Sequence, residues 1–417
     1  MKKDLFSNLI LPRLKAADQK TVVLEPTSES EPEIGEADLI VLAGALDEAQ
    51  DVMGILRETW PKCSRKTRIA VVSYSKLRRG STKRHHKSNS ENELNWLPRT
   101  EVANVLELAG FEVIKQTPEV LMTYNLGPIS RWVNRWLTPL PLFRQFAVAI
   151  VTLARKIDQT HPSPSLSIIV PTRNEAGNIK RILSEIPRMS PNQELIFVEG
   201  NSTDDTWQVL QEQTSALPPG YPSKVQVHKQ TGVGKGDAVR LGFAKSTGEM
   251  LMILDADLTV PPSELPLFYD ALVQQKAEFA NGSRLVYPQE KEAMRFLNYV
   301  ANKLFGLWFS FIMGQPVRDT LCGTKVLWRD DYELIAANRA YFGELDPFGD
   351  FDLLFGAARL NLKIRDIPVH YKERTYGSTN ISRFRHGLLL MRMSLLGARK
   401  LVFAPTPSVT SGRHQEH

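Results

Sequence analysis

The sequence predicts an α/β protein built as two units, and three observations carry that prediction. Short apolar runs such as DLIVLA, LSIIV, ELIFV and MLMIL alternate with stretches of helical pattern, the rhythm of strands joined by helices in an open sheet. A polar, proline-bearing break, KIDQTHPSPS at residues 156–165, separates two such series, as a domain boundary does. In the second series acidic residues follow the apolar runs directly, which places them at the carboxyl edge of a sheet, where ligands collect.

Size and composition agree. With 417 residues the chain exceeds one usual domain, and each unit can bury its own core. A content of 42% hydrophobic and 24% charged residues, with 26 Pro and 25 Gly, excludes collagenous and disordered classes. Two cysteines, Cys63 and Cys322, stand far apart; they make no disulfide framework and no paired-thiol metal motif, which favours a reducing cytoplasm. A net charge of +6 suits diphosphates, acidic lipid head groups or nucleic acid. The basic cluster Lys76, Arg78, Arg79, Lys83, Arg84, Lys87 reads first as a solvated loop, ahead of lipid or nucleic-acid contact, so no nucleic acid is expected as a partner. No signal peptide is expected at the start, and no apolar run approaches the ~20 residues of a membrane span. The nearest, residues 304–314 and 388–404, read as buried helices or as amphipathic segments lying on a membrane.

In the first series, residues 38–43, 68–74 and 111–115 read as strands and residues 47–59 and 99–109 as helices. The expected boundaries are an N-terminal, flexible extension at 1–36, an α/β unit at 37–156, a linker at 157–165, the second unit at 166–400 and a tail at 401–417. The runs EADLIVLAGALDEAQDVMGILRETWP and NWLPRTEVANVLELAGFEVIK, with the closing LPLFRQFAVAIVTLARK, resemble the C-terminal half of a class I methyltransferase domain, a Rossmann-like unit. Such a domain holds its nucleoside cofactor on a glycine-rich turn after its first strand. Residues 1–36 contain one glycine, Gly35, so the unit is expected to be a truncated partner domain without methyl transfer, available to a protein partner.

The second series opens with a strand ended by Pro171, then a loop with Asn174 and Glu175 opening a helix. ELIFVEG gives a strand ending at Glu199, an acid placed to accept hydrogen bonds from a nucleobase or ribose. Asp204 and Asp205 follow and read first as caps of the helix from Thr206. Gly232, Gly234, Lys235 and Gly236 then form a glycine-rich loop that serves equally as a phosphate cradle or a plain turn; it lacks the P-loop pattern. In MLMILDADLTVPP an apolar strand delivers Asp255 and Asp257 one residue apart. Two carboxylates so close repel unless a positive group sits between them. A hard divalent cation, Mg2+ or Mn2+, with oxygen ligands from carboxylates and substrate phosphates, meets that need.

These pieces in this order, with FANGSR, GDFDLLFGAARL and YGSTNISRFRHG, resemble a family 2 glycosyltransferase across residues 165–400, of the polyprenyl-phosphate sugar synthase kind. The resemblance implies a GT-A fold, a mixed sheet flanked by helices that binds a nucleotide-diphosphate sugar, preceded here by the smaller α/β unit. It makes Pro171, Arg173, Glu175 and Glu199 the nucleotide pocket, with Lys235 and Asp255 toward the diphosphate and Asp255 and Asp257 the metal ligands. It puts Arg284 near the phosphates, Asp350 and Asp352 where a general base stands in other members, and Tyr376, Ser378 and Arg383 in a loop closing over the donor. Gly200 replaces a second aspartate of many members, which leaves the identity of the base open. The expected reaction is inverting transfer of a hexose from a UDP- or GDP-sugar to a polyprenyl phosphate, by a peripheral protein at the cytoplasmic face of the membrane. The alternatives are a hydroxyl acceptor, with Asp350 or Asp352 as base, and a non-catalytic nucleotide-sugar-binding protein. A phosphate acceptor is already anionic at neutral pH and needs no base, which would free Asp350 for orientation and leave Arg284, Arg374, Arg383 and Arg385 to hold the phosphates.

Overall fold

The computed structural model describes residues 10–11, 20–24, 37–74, 95, 97–122, 126–158, 163–287, 296–341, 349–374, 376 and 383–404. The chain divides into two compact units, residues 1–158 with 402–417, and residues 159–401.

The first unit runs β1 (Thr21–Leu24), β2 (Leu39–Ala43), α1 (Ala45–Glu48), α2 (Val52–Thr59), β3 (Arg68–Tyr74), α3 (Arg99–Leu108), β4 (Phe111–Val120), α4 (Pro128–Trp136), β5 (Ala149–Lys156). Its sheet has the order β1-β2-β3-β5-β4. The first three strands are parallel, and β5 runs antiparallel to both its neighbours. Side chains alternate between two buried faces: Ile40, Leu42, Ile69 and Val71 pack with Leu56, Val102 and Leu106, while Leu39, Val41, Ala70 and Val72 pack with Ile10. Burial on both faces makes β2 and the centre of β3 unbroken apolar runs in sequence.

Three expectations for this unit change. The stretch 1–36 is not a flexible extension throughout: Thr21–Leu24 pairs with Leu39–Leu42, and Ile10 is buried. Four residues of TVVL among polar neighbours were too short a run to register as a strand. The helix expected at 47–59 is broken because the Asp51 carboxylate accepts from Gly54 N at 2.8 Å and caps a new start. The third strand continues past Lys115 to Val120, with register shifts near Ile114 and Glu119. The basic run of residues 76–87 lies outside the described residues.

The second unit runs β6 (Leu166–Thr172), α5 (Ile179–Glu185), β7 (Gln193–Glu199), α6 (Thr206–Ser215), β8 (Lys224–Lys229), α7 (Lys235–Lys245), β9 (Met250–Ile253), α8 (Leu265–Val273), β10 (Phe279–Ser283), α9 (Phe296–Met313), β11 (Lys325–Trp328), α10 (Arg329–Ala337), α11 (Asp350–Arg359), β12 (Ile364–Pro368) and α12 (Arg383–Gly397). The sheet order is β12-β10-β11-β9-β6-β7-β8. Strands β8, β7, β6 and β9 are parallel, and β11 runs against β9 and β10. The chain leaves β6 toward β7 and leaves β9 toward β10, opposite directions along the strand order, so the carboxyl ends of β6 and β9 flank a switch point of the kind where ligands bind.

The apolar stretch at 304–314 is the second half of α9. Phe309, Ile312 and Met313 are buried, and Phe309 packs on Phe351 and Phe355 with ring centroids 5.3 and 5.6 Å apart, while Leu304 and Leu307 are exposed. The helix is amphipathic rather than buried all round. Among the described residues no helix is long and apolar enough to cross a membrane.

Candidate active site

The loops after β6 and β7 are stitched together. Asn174 and Asn201 both take φ of 56°, a left-handed conformation that asparagine tolerates. Asn174 N donates to Ser202 Oγ at 3.0 Å, and Asn174 Oδ1 accepts from Thr203 N at 2.8 Å. Glu199, buried at the end of β7, accepts from Ser202 N at 2.5 Å. Gly200 leaves room for a neighbour: a Cβ there would lie 3.1 Å from Gln230 Oε1, and the Gln230 amide donates to Gly232 O at 3.0 Å. Of the two acids expected as caps, Asp204 accepts from Thr206 N at 3.0 Å through Oδ1, while Asp205, at the N-cap position, makes no side-chain cap bond.

Glu175 is buried beside this seam. Its N donates to Thr206 Oγ1 at 2.9 Å, its Oε2 accepts from Asn178 Nδ2 at 2.7 Å, and Arg374 lies 3.5 Å from its Oε1. Burial pushes the carboxyl up to about 7, against the Asn178 hydrogen bond and the Arg374 charge and with help from Asp257 and Asp204. A raised acid binds its proton more tightly folded than unfolded. Its contribution to stability is therefore full below the ordinary value of 4.5 and is lost as pH rises through about 7. Glu175→Gln is expected to flatten the decline in melting temperature over that window, and an unchanged slope in thermal melts would remove burial of Glu175 as its cause.

Asp255 and Asp257 follow β9, and each faces a cation. Lys235 Nζ, at the first residue of α7, lies 2.6 Å from Asp255 Oδ1. Arg374 lies 2.6 Å from Asp257 Oδ2, while Asp257 Oδ1 accepts from Thr259 N at 3.1 Å. Burial opposes the charge on Asp255, but Lys235, Lys325 and Arg284 together outweigh it and hold the carboxyl below the ordinary range. Burial likewise opposes the charge on Lys235, and Asp255 and Asp350 hold its pKa above the usual lysine range. Gly323 passes so close that a Cβ there would collide with Asp255 Oδ2 and Lys235 Nζ.

The donor set suits a hard divalent cation, because both side chains offer only oxygen. Among the described residues no group of three acid, histidine or cysteine side chains is poised for a metal. Two carboxylates would hold the ion and leave its other positions to phosphate oxygens, and the present cations Lys235 and Arg374 mark where positive charge is accommodated.

Asp350 and Asp352 do not act as a pair. They stand in the first turn of α11, and two helical residues are ~200° apart around the axis. Asp350 meets the fully buried Lys325 at 2.9 Å, and its N-cap Gly349 touches Gly236, whose added Cβ would lie 2.9 Å from Gly349 N; this brings Asp350 to the Lys235 group. Asp352 turns away to Arg339, 3.6 Å distant, in a cavity lined also by Leu334, Asn338 and Arg359. Arg284 is tied to Asp319 by bonds of 2.7 and 2.8 Å and lies over Tyr371.

Of the other expected residues, Pro171 ends β6 half-buried and Arg173 is exposed just after it. Tyr376 packs on Gly177 and donates to Asp204 Oδ2 at 3.4 Å. Ser378 lies outside the described residues, and Arg383 stands in α12 with its side chain outside the description. Sequence reading missed Asp319, Gly323 and Lys325. A lysine inside the apolar run CGTKVLW was the available signal, since a buried lysine needs a partner.

Residues 167–329 match the glycosyl transferase family 2 model. The chain is 32% identical over 140 residues to a dolichol-phosphate mannosyltransferase of Pyrococcus furiosus, an alignment covering 33% of this chain and 38% of that protein. It is 26% identical over 228 residues to a polyprenol monophosphomannose synthase of Mycolicibacterium smegmatis, covering 53% of this chain and 82% of that protein. The chain thus spans little more than a third of the first of these relatives. A crystal structure of glucosyl-3-phosphoglycerate synthase from Mycobacterium tuberculosis, solved with Mn2+, UDP and glucosyl-3-phosphoglycerate, is 18% identical, with a TM-score of 0.41 over 57% of this chain and 80% of that one. The family match and the mixed, helix-flanked sheet agree with the GT-A architecture expected from the sequence.

Proposed function

We propose that the second unit, whose residues 167–329 match the glycosyl transferase family 2 model, transfers a hexose, with inversion, from a UDP- or GDP-linked donor to a polyprenyl phosphate. A divalent cation, Mg2+ or Mn2+, would be held by Asp255 and Asp257. The observation that carries the reading is the cluster after β6 and β9, where Glu175, Asp255 and Asp257 meet Lys235 and Arg374, with Glu199 at the end of β7 beside the same loops. The relatives named for dolichol and polyprenol phosphates point the same way.

In this reading Glu199, with Pro171 and Arg173 beside it, receives the nucleoside. The cation would neutralise the departing nucleoside diphosphate, while Lys235 adds charge from the start of α7, where backbone N–H groups also face an anion. Arg374 trades Asp257 for donor phosphate as the diphosphate arrives, and Tyr376 covers the loop at Gly177. Asp350 is committed to Lys325, which suits an acceptor that needs no base; Asp350 then orients Lys325 and Lys235. Arg284, Ser378 and Arg383 are assigned to the phosphates. Leu304 and Leu307 of α9, with Met391 and Leu395 of α12, expose apolar surface on the same unit, fitting a lipid acceptor and a peripheral place at the inner membrane face.

Nucleotide release tests this. Purified protein with Mn2+ or Mg2+ is given UDP-glucose or GDP-mannose, with and without a short polyprenyl phosphate. Release that needs both metal and lipid phosphate is the expected result. Release without the lipid would replace it by a hydroxyl acceptor or hydrolysis, and no release with any donor would favour a nucleotide-sugar-binding protein.

A further inference from the structure

Helix α4 of the first unit is inside out. A surface helix ordinarily turns its apolar stripe to the core and its polar residues to water. Here Ser130 and Asn134, one turn apart, are the buried residues, at 4% and 2% exposure, while Ile129 is 61% and Trp132 56% exposed, with Trp136 beside them. Hydrogen bonds fix this orientation. Asn134 Oδ1 accepts from Leu121 N and Met122 N at 3.0 and 2.8 Å, its Nδ2 donates to Met122 O at 2.8 Å, and Ser130 Oγ donates to Gly127 O at 3.0 Å. Rolling the helix to hide its tryptophans would strip those buried polar groups of partners.

The outward apolar surface extends beyond the helix. Leu126 precedes it, and Leu142, at 67% exposure, and Phe146 follow. Leu142 sits in a turn closed by Arg144 N to Leu140 O at 2.9 Å and Phe146 in one closed by its own N to Phe143 O at 2.9 Å, so their exposure belongs to an ordered backbone. The charges have one sign. Arg131, Arg135 and Arg144 lie in this stretch, and residues 120–157 contain no Asp or Glu. Arg135 Nε donates to Phe403 O at 3.0 Å, and its guanidinium lies 5.0 Å from the Trp136 ring centre.

A patch of large apolar side chains marks an interaction face, and its chemistry selects the occupant. Tryptophans interleaved with arginines, and with no acid, match the boundary layer of a bilayer, where indole rings lodge at head-group depth and basic side chains reach anionic phosphates. We propose that the first unit docks on an anionic lipid bilayer through Leu126, Ile129, Trp132, Trp136, Leu142 and Phe146, with Arg131 and Arg144 against the head groups. The first unit thereby has a function of its own, separate from the glycosyl transfer proposed for the second unit.

The test is sedimentation of the full chain with vesicles of phosphatidylcholine, with and without phosphatidylglycerol, containing no polyprenyl phosphate. Binding is expected to require the anionic lipid and to weaken as salt rises. Ile129→Glu with Trp132→Glu should lower the partition coefficient at least about tenfold, and Ile129→Ser with Trp132→Ser serves where the acidic pair disturbs folding. Arg131→Gln with Arg144→Gln should abolish the preference for anionic lipid. Leu108→Glu, on an exposed site elsewhere in the unit, and Asp255→Ala should leave binding unchanged. Leu304→Glu with Leu307→Glu tests the second unit separately: vesicle binding lost there but kept in the Ile129 and Trp132 variants overturns the assignment. So does absence of vesicle binding by the parent chain, or lipid-independent self-association abolished by Trp132→Ser, which would make a protein the occupant.

Discussion

Asp255→Ala is expected to slow nucleotide release on the order of 10³-fold, the loss typical of removing one group that faces developing charge. The carboxylate has two tasks in the proposed site. It is one of two oxygen-donor side chains for the cation, and it is the counter-ion of Lys235 at 2.6 Å. Removing it leaves Lys235 closer to an uncompensated charge, with Asp350 and Asp257 as its remaining acidic neighbours. A melting temperature that rises with added Mn2+ in the parent should stop doing so in the variant. Asp205→Ala, an acidic change in the loop after β7, controls for charge alone and should retain the parent rate. If Asp255→Ala keeps release within about tenfold of the parent, a difference of only ~1.4 kcal/mol, the metal site is elsewhere.

Arg284→Ala is expected to cost about 3–5 kcal/mol of stability, because it strands a buried carboxylate. Asp319 has a fully buried side chain and takes both its strong bonds from Arg284. The guanidinium, where burial opposes the charge, is held well above even its usual range by Asp319, and Asp319 is held low in return, against its own burial. With Arg284 gone, backbone donors at Arg284 and Leu321 remain, too few to replace a bidentate partner. Urea unfolding should show the loss, and Arg284→Met with Asp319→Leu should restore most of it. A single variant as stable as the parent but inactive would instead make Arg284 a phosphate ligand with little structural duty.

Strands β2, β3, β6, β7 and β9 were legible because each carries an apolar run of proper length, and Asp255 and Asp257 were legible because they follow one directly, whereas β1 and the polar second half of β4 were not. Nor was what joins the site. Arg374 and Asp257 are 117 residues apart, and nothing local in RTYG says which acid it meets. Asp350 and Asp352 looked like one acidic motif, yet helical geometry sends them to opposite faces once α11 begins at Asp350. Lys325 was not singled out at all, and its burial against Asp350 shows only in the fold. Helix α4 was not read from the sequence, and the rule that apolar faces turn inward would have oriented it wrongly.

The reversed direction of β11 bears on how the nascent chain matures. Synthesis delivers β6, β7, β8 and β9 first, and they can assemble as a parallel sheet around Asp255 with Lys235 already present. Strand β9 then keeps an open edge until β11 is made and folds back between it and β10. An open edge is a template for pairing with another chain, so ribosome-bound or truncated chains ending between β9 and β11 are the ones most exposed to aggregation. Arg374 emerges later still, which leaves Asp257 without its arginine for as long as the sheet is unfinished.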